Sequence, residues 1–158
     1  MDYENTYHGK KAMEHFLAGY NCAQAVFLSY AEELGLDRVT AARLSSSFGA
    51  GMGRMREVCG AVSGMFMAAG LLYGYDSPDD FEGKSEHYKR IQELAARFKA
   101  ENNGTIICRE LLGLTGDRFD HVPEKRTKEY YQKRPCVHKV GIAAAILEKY
   151  MEEHPVIK

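Results

Sequence analysis

Apolar positions along this chain recur at steps of three and four residues, the period of an amphipathic helix. Met13, Phe16 and Leu17 lie on one face of a first segment, Thr6 to Ala18, which Gly19-Tyr20 closes. Val26, Phe27 and Tyr30 mark a second, Cys22 to Leu34, with Asn21 as its expected N-cap and Gly35 as its stop. Thr40 is expected to cap a third helix reaching about Phe48. A charged fifth helix opens at Asp79 or Asp80 and runs to about Ala100, turning Ile91, Leu94, Ala95 and Phe98 inward. Asn102-Asn103-Gly104 breaks the pattern. Thr105 is then expected to cap a short helix holding Cys108, Leu111 and Leu112, closed by Gly113. Residues 114–134 are polar and weakly patterned, with a short helix expected near Glu124 to Tyr131. Pro135 suits a helix start, and Val137, Val140, Ala144 and Leu147 stripe the last helix.

The fourth helix, Cys59 to Tyr73, is of another kind. Val58 to Tyr75 carries no charge and approaches the length of a membrane span. It also holds Cys59, Ser63 and the glycines Gly60, Gly64, Gly70 and Gly74, which favour a helix buried in a protein core and apolar all round. Gly60, Gly64 and Ala68 share one face, where a neighbouring helix could approach closely. Ahead of it, Gly49-Ala50-Gly51-Met52-Gly53 oppose a regular helix and predict a loop feeding into Cys59. These glycines do not form G-x-G-x-x-G, no strand precedes them, and no G-x-x-x-x-G-K-[ST] occurs, so they predict close backbone approach beside Cys59, not a nucleotide site. With no repeat and no strand pair, the pattern predicts an all-α fold. It is expected to be a single compact domain over residues 1–158, with about six or seven helices around a buried central one.

Composition narrows the function. At 158 residues and 45% hydrophobic, the chain has enough apolar surface for a core without disulfide staples. The formal charge of -1 leaves no electrostatic footprint for nucleic acid. The opening Met1-Asp2-Tyr3-Glu4 is acidic and polar, unlike a secretory leader, so a cytoplasmic location is expected. Cytoplasmic thiols stay reduced unless they are catalytic or metal-bound.

The candidate chemistry therefore lies in four cysteines, Cys22, Cys59, Cys108 and Cys136, each at or near a predicted helix start. A helix start offers unpaired N–H groups and the positive end of the macrodipole, which favour the thiolate. Positive charge adds to this: Arg54 and Arg56 precede Cys59, Arg109 follows Cys108, and Lys133 and Arg134 precede Cys136. His138 is a candidate ligand or proton donor; the other histidines show no ligand spacing. Cys59 is the leading site residue, and Cys22 its expected neighbour. No C-x-x-C occurs, which excludes a thioredoxin-type motif and a zinc ribbon. Two readings remain open. The four cysteines are either catalytic, cycling between dithiol and disulfide, or metal ligands for an iron–sulfur cluster or zinc in a module without its own catalysis. Spacing favours the first, because many cluster proteins gather several ligands in a tight local run.

The order Gly19-Tyr20-Asn21-Cys22-Ala23, Cys59-Gly60-Ala61-Val62-Ser63-Gly64, Cys108-Arg109-Glu110-Leu111-Leu112-Gly113, then Cys136 resembles the redox-active protein family named for its C-GCAxxG-C-C cysteine pattern. The resemblance spans about residues 10–150. It implies redox chemistry at the four cysteines and an oxidoreductase or transporter as partner. Some members look exported by a twin-arginine signal; this sequence shows none, so export does not carry over.

Overall fold

A computed structural model of the chain describes residues 1–116 and 118–157; Asp117, in the polar stretch, and Lys158 lie outside the described residues. Eight right-handed α-helices form among them: α1 Tyr7–Leu17, α2 Cys22–Tyr30, α3 Arg38–Ser45, α4 Gly60–Tyr73, α5 Phe81–Glu101, α6 Cys108–Leu111, α7 Lys128–Lys133 and α8 Cys136–Glu153. The fold is all-α, as expected, and the only β pairing among the described residues is an isolated antiparallel bridge between Val58 and Ile107. No helix among them is long and apolar enough to cross a membrane.

Local chemistry explains most helix starts. Thr6 caps α1 through Gly9 N–H, and Asn21 and Gln24 form a reciprocal capping box on α2. Asp37, not Thr40, caps α3: its carboxylate accepts the Thr40 N–H at 2.9 Å, so the helix starts at Arg38. Asp80 caps α5 as expected. Thr105 sits two residues ahead of α6's N-cap Ile107 and accepts that residue's N–H at 3.0 Å. The helix expected near Glu124 to Tyr131 runs from Lys128 to Lys133, because Thr127 supplies its cap. α2 ends at Tyr30, before the expected Leu34; Ala31 N–H turns to the Leu28 carbonyl, and the turns that follow close on Gly35 at φ 71°.

The core is built on α2, α4 and α8, with α1 and α5 packed around them. Val26, Phe27 and Tyr30 of α2, Val62 and Met65 of α4, and Ile146 and Leu147 of α8 are wholly buried. Each such side chain contributes roughly 1.5–3 kcal/mol of burial. The N-terminal half of α4 lies in this centre as its small-residue sequence predicts, while its C-terminal half reaches the surface at Leu71. Gly64 is what lets α4 meet α2: a Cβ there would stand 2.6 Å from the Ala23 carbonyl oxygen.

Candidate functional site: a cysteine-lined cavity

The segment between α3 and α4 winds the wrong way. Ala50, Gly51, Met52, Gly53 and Arg54 all have positive φ, between 54° and 69°, and Arg56 follows at 60°. Gly53 N–H donates to the Gly49 carbonyl at 2.9 Å, so residues 49–53 close a left-handed turn where a loop was expected. Each non-glycine residue held there costs about 1–2 kcal/mol. The surroundings hold the turn in place. Glu57 N–H donates to Gly51 O, Cys108 N–H to Glu57 O, Arg109 N–H to Arg56 O and Cys59 N–H to Ile106 O. Strain maintained in this way is typical of functional sites.

This lacing brings Cys59 and Cys108 to one place. Gly51 cannot be replaced without displacement, since a Cβ would stand 2.6 Å from the Cys108 Cβ. Cys22 enters from the start of α2. Its Sγ accepts the Ala50 N–H at 3.4 Å and lies against Gly60, where a Cβ would approach it to 2.4 Å. Cys136 opens α8. All four cysteines are free thiols and line one cavity of about 110 Å³. Cys22, Cys108 and Cys136 are the first residues of their helices and Cys59 is the N-cap of α4, so four helix starts converge on it.

The electrostatics differ from the sequence expectation. Burial pushes the Cys59 thiol well above its ordinary value, and Cys22 adds to the effect; the Val62 and Ala61 amides at the helix start pull the other way and are outweighed. Burial also raises Cys108, against the pull of Arg56. Cys136 is pushed from 9.0 up to about 12 by burial first, then by Cys22 and Cys108. The helix-start effect is real, but desolvation is larger.

The cavity is rich in cations. Arg54, Arg56, Arg126, Arg134 and Lys139 line it, with Glu124 as the one acid in the lining among the described residues. Of the basic residues that sequence proximity singled out, Arg109 turns instead to Glu57 and Lys133 to Glu129. Arg126 and Lys139 gave no sequence signal, because their approach to the cysteines is made by the fold. Arg126 donates to the Phe16 and Tyr20 carbonyls at 3.0 and 3.1 Å and lies over the Phe16 ring. His138 bonds the Tyr3 hydroxyl at 2.8 Å and is not among the lining residues. No group of three or more His, Cys, Asp or Glu side chains among the described residues is arranged to hold a metal ion.

An all-α fold with four thiols on one electropositive cavity defines a class of cysteine-centred helical protein. The family comparison is in accord: residues 20–150 match the family model described as "Putative redox-active protein (C_GCAxxG_C_C)", and the chain belongs to that family. Neither a curated protein nor a solved structure matches the chain.

Proposed function

We propose that this protein is a thiol–disulfide redox protein in which Cys22 and Cys59 are the exchanging pair. The observation that carries the reading is the convergence of all four cysteines on one cavity, with the Cys22 Sγ against the residue that follows Cys59. Cys22 is the more exposed of the two, and the Ala50 amide is placed to stabilise its thiolate, so it is the attacking sulfur. Cys59, buried behind it, resolves.

The chemistry balances as an exchange. The Cys22 thiolate attacks one sulfur of a substrate disulfide; that S–S bond breaks, and the departing thiolate takes up a proton. Cys59 then loses its proton and attacks Cys22 in the mixed disulfide, releasing the second substrate thiol. Two protein thiols give up two electrons and two protons, one protein disulfide forms, and one substrate disulfide becomes two thiols. Cys108 and Cys136 border the same cavity and shape the field around the pair. An oxidoreductase or transporter that exchanges electrons with this centre is the proposed partner.

Trapping tests the assignment. In Cys59→Ser, a small disulfide should leave its half attached to Cys22, as a mass increment on the peptide that contains Cys22. A label on Cys108 or Cys136 instead, with Cys22 unmodified, would refute it.

A further inference from the structure

Arg56 is 5% exposed, yet no carboxylate among the described residues pairs with it. Among the described residues its Nε is buried without a hydrogen-bond partner, and its Nη1 donates only to the Cys108 Sγ at 3.7 Å. A guanidinium taken out of water needs a counter-charge or good acceptors, and a neutral thiol is a weak acceptor. The other cations of the lining are better provided for. Arg134 pairs with Glu124, Arg54 with Asp120, and Lys139 with the Asn102 side-chain oxygen at 2.5 Å. Arg126 has carbonyl acceptors but no carboxylate partner among the described residues.

From this imbalance we infer that the cysteine cavity is an anion site, with Arg56 as its primary donor and Arg126 as a second cation, and that it takes a small oxyanion beside the thiols. The cavity's size sets the class. About 110 Å³ holds several water molecules, and so a group of a few heavy atoms, not a folded peptide. A sulfate-sized oxyanion, free or as the terminal group of a larger molecule, fits both the volume and the charge. Three of the helices that start at the cavity, α2, α4 and α8, are long enough to add their N-terminal field to that of the guanidinium. Anion binding rests on this geometry alone. That the anion is the handle by which a substrate is held against Cys22 rests on the redox reading above.

Sulfate is the probe, titrated calorimetrically into reduced full-length protein against chloride at matched ionic strength. The site predicts saturable sulfate binding and slowed alkylation of Cys22 by neutral iodoacetamide as the site fills. Arg56→Met should lose at least tenfold in sulfate affinity. Arg97→Met, which removes an equal charge from the distant Glu93–Glu153 pair, should leave the affinity unchanged. If Arg56→Met fails to fold, Arg126→Met serves in its place and should also weaken binding. Absence of saturable binding in the wild type, or equal loss in Arg97→Met, overturns the proposal. Larger anions test the source: binding of a sulfonate with a bulky tail at similar affinity means the terminal group of a larger molecule is accepted, and its exclusion means a free oxyanion. Sulfate binding without disulfide exchange would reject the redox reading alone, and exchange without sulfate binding would reject this one alone.

Discussion

At the scale of single residues, the cavity sets two local demands that substitutions expose. Gly60→Ala drives a Cβ to within 2.4 Å of the Cys22 Sγ. It should destabilise the protein by about 1–3 kcal/mol, as overpacking does, and alter Cys22 alkylation; urea unfolding and thiol labelling check both. Cys136 gives a prediction in pH. With its thiol pushed up to about 12 in the folded state, it should resist alkylation through the range where a free thiol, near 9.0, already reacts. The sign follows by linkage: the unfolded chain gives up this proton first, so the contribution to stability is whole below about 9.0 and is lost as pH rises towards about 12. A Cys136 that titrates with free cysteine would contradict this. The cysteines themselves were legible from their helix-start positions, and Arg54, Arg56 and Arg134 from their sequence neighbours. Arg126, Lys139 and the direction of the thiol shifts were not, because burial is a property of the packed whole. His8 was likewise invisible. It is buried with Glu33 and Glu148 at its two ring nitrogens and stacked on Tyr30 at 4.0 Å between ring centres, and those partners lie far apart in sequence.

At the scale of elements, the left-handed turn is the feature that periodicity could not forecast. Alternating glycines announced an interruption, yet Ala50, Met52, Arg54 and Arg56 adopt the same backbone region without a glycine's freedom. Arg56 is bonded directly by Arg109 N–H, and the turn before it is tied to the same segment through Glu57, which donates to Gly51 O and accepts from Cys108 N–H; no local pattern encodes these contacts. The long helices were legible because their apolar stripes are long. The boundaries that shifted at α3 and α7 depend on which polar side chain wins the capping position, whereas α6 starts after Ile107, which offers no side-chain cap. Two glycines of the turn should therefore respond differently to alanine. Gly53→Ala meets nothing nearer than the Ser47 carbonyl oxygen at 3.7 Å, so only the left-handed penalty of about 1–2 kcal/mol applies. Gly51→Ala adds a collision with the Cys108 Cβ at 2.6 Å and should be clearly the more destabilising. Equal unfolding midpoints for the two variants would show that the turn is not clamped to α6 as described.

At the scale of the whole molecule, the small-residue face of α4 and the packing of α2 against α8 bring four sequence-distant helix starts to one point. His8 ties the periphery to that core: it joins α1 to α8 through Glu148 and to the turn after α2 through Glu33. His8→Ala leaves both carboxylates without that ring and should cost about 1–3 kcal/mol, read as a lowered melting temperature with the cysteine chemistry retained. The central proposal is that Cys22 and Cys59 exchange without a metal in the cavity that all four thiols line. The most direct test is made on protein purified without air: count the free thiols and measure iron and zinc, add one equivalent of a small disulfide, then count the thiols again and map any new bridge. The account predicts four free thiols, counted in denaturant, without bound metal, then two, with Cys22 joined to Cys59. Iron or zinc retained in stoichiometric amount, with thiols that stay unreactive until the metal is removed, would contradict it.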